Sequence, residues 1–231
     1  MQPFLIFGLA ASVGAMGELT GHERRGSLVW PARSAIVGLL GAALGIRRDG
    51  DFSALDALEI DIAIFDSGAV LRDYHTVETV LPTVVKAPNS RPQALHVVPP
   101  GKANITITMR DYRTGVFYGV AVRGQGLEAL QAALASPHFT LYLGRKSCPL
   151  AAPLDTKIIE ANSAVVALSN IQVPPWHLRK QGQKTIAAKI LVTSDPQGEV
   201  IHDIPLDRDH WHFAPRRVAL RPVKIVAGDR S

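Results

Sequence analysis

Between Glu78 and Lys102 the chain carries five prolines, Pro82, Pro88, Pro92, Pro99 and Pro100, and no hydrophobic period. Proline removes a backbone donor and fixes φ, so neither a central strand nor a helix interior accommodates such a stretch. An irregular segment of this length inside a compact chain is functional or disordered. It therefore divides the first part of the sequence into two blocks, and each has a readable pattern. Before it, Pro3 to Leu9 (with Phe4-Leu5-Ile6-Phe7) is an apolar, β-prone run. Ala10 to Leu28 is rich in Gly and polar residues and reads as a loop. A helix is expected over Arg33–Leu44, with Ser34 as N-cap and Gly45 as its stop. Leu58 to Phe65 alternates acidic and aliphatic residues, the signature of a strand with one wet face.

After the interruption, Asn104–Tyr112 and Val116–Arg123 read as a hairpin joined by Arg113-Thr114-Gly115. Leu127 to Ala135 reads as a helix with Leu127, Leu130 and Leu134 on one face, and Phe139 to Leu143 as a short strand. The order is β-α-β, arm, β-β-α-β, which allowing for the extra hairpin strand is the ferredoxin-like order within an α+β class. From Pro149 the pattern changes to short strands, Lys157–Ile159, Ala164–Val166, Thr185–Thr193, Val200–Leu206 and Arg217–Pro222. Two units follow: residues 1–148, with the arm at about 78–103, and a small β-rich region at 149–231. Arg72-Asp73-Tyr74 recurs as Arg110-Asp111-Tyr112, and three recurring letters are taken as chance.

A hydrophobic fraction of 47% excludes a disordered chain, and a formal net charge of +5 raises the odds of an anionic partner. Cys148 is the single cysteine, so no internal disulfide forms, which fits a reducing cytoplasm. As a nucleophile it lacks an indicated base. Met1 to Gly17 is apolar but has no Lys or Arg before the apolar run, the reverse of a secretory signal. Ala35 to Ile46 is too short to span a bilayer, and the Gly41/Gly45 pair reads as close backbone packing. Neither a nucleotide-binding Gly-rich loop ending in Lys-Ser/Thr nor a Gly-x-Ser-x-Gly elbow is present. His210 and His212 would share a strand face around Trp211, yet no further metal ligand is suggested, so neither metal nor cofactor is expected.

What remains is arginine and lysine in Gly-rich or irregular backbone, where a planar guanidinium fork and nearby backbone N–H groups suit phosphate. Four places qualify: Arg24-Arg25-Gly26, Arg33-Ser34 at a helix start, Arg47-Arg48 at that helix's end, and Gly144-Arg145-Lys146-Ser147. For Arg47 and Arg48 the helix dipole is a sufficient alternative reason. Arg72, Tyr74, His75 and Arg110 join the candidates, with Tyr74 and His75 able to stack on or hydrogen-bond to bases. A metal-independent ribonuclease, with His75 as base and Lys86 or Arg72 as stabiliser, is the alternative; no fixed constellation supports it.

Three runs, in order, resemble the CasD family, the fifth family of CRISPR-associated proteins, as found in the type I-E Cascade complex. They are Pro31-Ala32-Arg33-Ser34 through Gly45-Ile46-Arg47-Arg48-Asp49, then Leu71-Arg72-Asp73-Tyr74-His75-Thr76-Val77, then Tyr142-Leu143-Gly144-Arg145-Lys146-Ser147-Cys148-Pro149-Leu150. The resemblance implies a ferredoxin-like RNA-binding domain with a protruding arm. It implies a subunit that grips the 5′ handle of the guide RNA (crRNA) beside a CasC-type backbone subunit and a CasA-type large subunit. Target DNA is then met through the assembled complex, and no membrane is involved. A separate CasE endonuclease cuts precursor RNA in that type, so no cleavage is expected of this chain. Arg33-Ser34 and Gly144 to Ser147 would lie near the handle. Glu78 to Lys102 would form a thumb, with Leu81, Val84 and Val85 as a wedge and Lys86 and Arg91 on phosphate. Met16-Gly17 occupies the first loop, where relatives often carry an aromatic residue.

Overall fold

The computed structural model describes residues 1–18, 23–81, 83–86, 91–180, 186–208, 210 and 212–227; the side chains of Arg91, Arg179 and Lys180 fall outside the description. His22, Pro82, Pro88, Thr185 and Trp211, which entered the sequence reading, lie outside the described residues. In chain order the elements are β1 (Gln2–Gly14), β2 (Arg24–Arg25), α1 (Arg33–Leu44), α2 (Ser53–Asp56), β3 (Glu59–Asp66), β4 (Ala69–Thr79) and α3 (Arg91–Val97). There follow β5 (Asn104–Arg123), α4 (Leu127–Ala135), β6 (Lys157–Ala161), α5 (Ala164–Leu168), α6 (Pro175–Lys180), β7 (Ala187–Asp207) and β8 (His212–Val226). The class is α+β, dominated by one sheet with the strand order β6-β1-β5-β3-β7-β8. β2 and β4 also pair with β5, β2 in parallel and every other pair antiparallel.

β1 explains why its sequence is apolar without alternation. Leu5, Phe7, Leu9 and Ala11 enter one buried cluster while Phe4, Ile6 and Ala10 enter another on the opposite face. A strand covered on both sides has no wet face to mark with polar residues. The first cluster is closed by α1, α2 and α4, through Ile36, Leu40, Leu55, Leu130 and Leu134. The second is closed by α5 and the chain after it, through Ala167, Leu168 and Ile171. Each fully buried large side chain stabilises the fold by roughly 1.5–3 kcal/mol. Gly119 of β5 keeps the second face close-packed, since a Cβ there would meet Ile171 at 2.6 Å and Phe65 at 2.9 Å. Gly41 does the same in α1, where a Cβ would meet the Phe52 ring at 2.4 Å.

α1 and α4 have the expected bounds, but the start of α1 differs from expectation. Its N-cap is Ala32, which makes no side-chain cap, and Ser34 already lies inside the helix. The open N-terminus is closed from β7, where the Asp203 carboxylate accepts the Arg33 N–H at 2.7 Å. A carboxylate placed there satisfies an orphan donor and meets the positive end of the helix dipole. At the other end Gly45 adopts φ 80°, as a left-handed stop requires, and its N–H donates to Ala42 O.

The hairpin expected over Asn104–Arg123 is instead one 20-residue strand, β5. Gly115 has φ 67° but does not turn the chain; pairing with β1 continues across it from Ala11 opposite Val116 to Val13 opposite Thr114. β3 and β4 run consecutively along β5, with a register irregularity between Ile64 and Asp66 and with Gly68 at φ 63°. The C-terminal half of β5 is therefore core, and its N-terminal half pairs with β4 in a largely exposed ribbon. That ribbon is the stem of the arm, which begins well before residue 78. The segment beyond it, expected to be irregular, contains α3. Three further expectations fail. Ala10–Leu28 is not wholly loop, because β1 continues to Gly14 and β2 follows. Phe139–Leu143 contributes only an isolated bridge between Tyr142 and Pro149. Ala164–Val166 is helical, with Ser163 as a side-chain N-cap for Val166 N–H. The strands after residue 149 do not form a sheet of their own: β6 pairs with β1 and β7 with β3.

Candidate nucleic-acid interface

The two Arg-Asp-Tyr runs, taken as chance from the sequence, lie side by side. In the β4–β5 register Arg72 faces Asp111 and Asp73 faces Arg110, so antiparallel pairing sets each arginine opposite an acid. β2 approaches the other edge of β5 in parallel, bringing Arg24 beside Met109 and Arg25 beside Arg110. Side chains two apart on a strand share a face. One face of the stem thus carries Arg72, Tyr74 and Asp111; the other carries Asp73, His75, Arg110 and Tyr112.

On the first face Asp111 is buried between two arginines. Arg24 donates to it through Nε at 3.0 Å and Nη2 at 2.7 Å, and Arg72 through Nε at 2.7 Å. Hydrogen bonds from Arg72 and then Arg24 pull the Asp111 carboxyl down to a pKa of about 2. Because the folded value lies below the ordinary one, the stabilisation from this carboxylate is complete above the unfolded pKa of 3.8 and is lost as pH falls through about 2. Tyr74, two residues beyond Arg72, is 65% exposed on the same face.

On the second face the Arg145 guanidinium lies 4.6 Å from the centroid of the Tyr112 ring. Among the described residues, Arg145 Nη1 and Arg110 Nε are buried without hydrogen-bond partners. His75 Nε2 contacts the Asp73 carboxylate. Arg145 reaches Tyr112 because its loop is pressed onto the end of β1: Ala15 N–H donates to Leu143 O at 3.1 Å, and Cys148 N–H donates to Arg145 O at 2.8 Å. Gly144 sits at the contact with φ 84°. Lys146 and Ser147 are exposed at the tip, whereas Cys148 is fully buried.

Not every candidate converges here. Arg33 is turned inward; its Nη2 donates to Asp56 O at 2.7 Å and Leu58 O at 2.8 Å, tying α1 to the chain before β3. Burial lowers its pKa. In this structure its guanidinium serves that link, and Ser34 is half-buried beside it. Met16 is a core side chain, and its N–H donates to Ser27 Oγ at 3.0 Å. Gly17 next to it has φ 70°, and a Cβ there would meet nothing within 4 Å among the described residues. Arg25 is exposed on β2, and Arg47 and Arg48 are exposed beyond the end of α1. Along the arm Lys86 and Leu81 are exposed and Val84 and Val85 half-buried; Arg91 opens α3, with its side chain outside the description. His210 contacts Asp207 through Nδ1 at 2.8 Å, and its ring lies 5.8 Å from that of His212. Sequence reasoning passed over Asp111 and Tyr112. The repeat of Arg-Asp-Tyr was the signal for both, because equal spacing of opposite charges on two strands is what an antiparallel pair can match.

Comparison with known proteins adds four findings. Residues 4–219 match the family model described as CRISPR-associated protein (Cas_Cas5). The chain is 34% identical over 190 residues to the CRISPR system Cascade subunit CasD of Escherichia coli (strain K12), covering 74% of this chain and 78% of that one. Among solved structures it resembles a chain of a CRISPR RNA-guided surveillance complex, with a TM-score of 0.71 at 22% identity over 97% of this chain and 91% of that one. A structure described as a Cas protein aligns with a TM-score of 0.64 at 25% identity over 96% of this chain and 95% of that one.

Proposed function

Because this chain belongs to the CRISPR-associated Cas5 family, we propose that it is a CasD-type subunit of a type I-E Cascade complex that binds the 5′ handle of crRNA without cutting it. The observation that carries the reading is the stem of the arm. There β5 carries arginines on both faces, Arg24 and Arg72 with the exposed Tyr74 ring on one and Arg110 and Arg145 on the other, with Arg25 paired beside Arg110. Single-stranded RNA offers phosphates and open base faces together, and guanidinium groups interleaved with an aromatic platform fit both. The handle binds along the stem and the Gly144–Ser147 loop, and the arm lies over the guide with Leu81, Val84 and Val85 toward it. A ferredoxin-like core underlies the surface; its support is the strand order β6-β1-β5-β3, with α1 and α4 packed on one face. The CasC-type and CasA-type subunits are the protein neighbours, and target DNA is reached through the whole assembly. Among the described residues no helix is long and apolar enough to cross a membrane; a cytoplasmic location suits a complex of this kind.

The test uses the purified chain, a labelled crRNA precursor and no added metal, following binding and cleavage together. Handle-dependent binding that leaves the RNA intact is expected. Affinity should fall with salt, each phosphate contact adding about 0.7 to the slope of log K against log salt. Strand scission at the handle boundary that vanishes in His75→Ala would sink the non-cleaving reading.

A further inference from the structure

A buried acid at the centre of an arginine cluster meant for phosphate is electrostatically unfavourable unless it does something for the arginines. A guanidinium has five N–H donors. Arg24 and Arg72 each spend two on Asp111, through Nε and Nη2 in both cases. Among the described residues three donors remain on each fork. The two side chains stay 57% and 38% exposed while the carboxylate between them is 7% exposed. The three residues come from β2, β4 and β5, separated from Asp111 by 87 and 39 positions in sequence. Without the shared carboxylate two like charges on separate segments would repel and swing apart. With it both forks are tied edge-on to one carboxylate, on the stem face that also carries the exposed Tyr74.

We propose that Asp111 is a positioning residue that fixes Arg24 and Arg72 as a two-guanidinium seat for one phosphodiester of single-stranded RNA, with Tyr74 as the platform for the adjoining base. This rests on the RNA-binding reading above. The seat accepts one non-bridging oxygen per fork, so the phosphate is held by parallel charge-assisted bonds. Asp111 touches no RNA; it removes the reorganisation the arginines would otherwise undergo on binding.

The sign of one substitution separates this from simple charge counting. Asp111→Asn removes a negative charge next to the RNA, so a count of charges predicts tighter binding. The seat predicts the opposite: affinity for handle RNA falls roughly tenfold, and the salt slope drops by about 0.7 as one phosphate contact is lost. Arg24→Lys keeps the charge at an exposed site but loses the fork. It should bind roughly tenfold more weakly as well. In the Arg24→Lys background Asp111→Asn should add little, because the seat is already broken. Thermal unfolding of each variant without RNA separates a lost seat from a lost fold. Unchanged or tighter binding by Asp111→Asn, or unchanged binding by Arg24→Lys, overturns the seat while leaving RNA binding intact. Failure of the unaltered chain to bind handle RNA overturns the RNA reading and the seat with it.

Discussion

Asp203→Ala is expected to cost about 3–5 kcal/mol of folding stability, the range for stripping one partner from a buried ion pair. Asp203 is 2% exposed. Arg216 donates to it through Nε at 2.6 Å and Nη2 at 2.9 Å, and the Arg33 N–H at the start of α1 donates at 2.7 Å. Alanine leaves the Arg216 charge nearly buried and unmatched, and it reopens the N-terminus of a helix whose own N-cap, Ala32, offers no side chain. Arg33 adds a third party, since its guanidinium already ties α1 to the carbonyls of Asp56 and Leu58. Urea unfolding followed by circular dichroism measures the loss, and the melting temperature should drop by about 10 °C. An apolar double replacement, Asp203→Leu with Arg216→Met, should recover much of it, because the desolvation cost of both charges disappears together. A loss below about 1 kcal/mol would show that the pair is an exchangeable surface contact.

Gly144→Ala is expected to damage stability and RNA binding at once. The residue sits at φ 84°, and a Cβ there would stand 1.5 Å from Ala15 O. The conformation alone costs a non-glycine residue about 1–2 kcal/mol. The clash is with backbone that is itself bonded, Ala15 N–H to Leu143 O, so it cannot be relieved by turning a side chain. A total of about 2–4 kcal/mol follows, in line with other strained-backbone substitutions. The loop must lift from the end of β1, taking Arg145 from the Tyr112 ring and Lys146 and Ser147 with it. Gly17→Ala is the matched control: φ is 70° there, with no atom of the described residues within 4 Å of the added carbon, so about 1 kcal/mol is expected. Calorimetry and handle-RNA titration on both variants check the contrast. Equal losses would mean that the approach to Ala15 is not what holds the loop.

Much of the core was legible from period alone. Pro3 to Leu9 read as a buried strand, and α1 and α4 have the bounds their apolar spacing and Gly45 implied. The failures have local causes. Gly115 in a run of β-prone residues has one appearance whether it turns the chain or sits within a strand, and the strand reading won only through tertiary pairing with β1 and β4. Ala164 to Leu168 is too short for helix and strand periods to differ; its clue was Ser163, a good N-cap, which went unused. Of the sequence candidates, Arg24, Arg72 and Arg145 meet at the stem, whereas Arg33 faces inward. An arginine at a helix start suits an anion or a pair of carbonyls equally well, and only the path of α2 into β3 decides. Asp111 was passed over because an acid argues against a nucleic-acid site until its two partners are seen.

β5 runs without a break from the exposed stem into the middle of the sheet, and this settles which way the arm's side chains point. A two-stranded ribbon wet on both sides has little to prevent a one-residue slip, and such a slip would exchange its faces wholesale. Here the slip is blocked from within. Val120 and Ala121 of the same strand are buried on opposite faces, opposite Ile62 and Asp61 in β3 and Phe7 and Ile6 in β1. Moving them by one position would turn the whole interior inside out. The arm thus inherits its alignment from packed residues that never touch a ligand, and a sequence is free to vary at Thr76, Thr106 or Thr108 without losing track of where Arg72 and Tyr74 face.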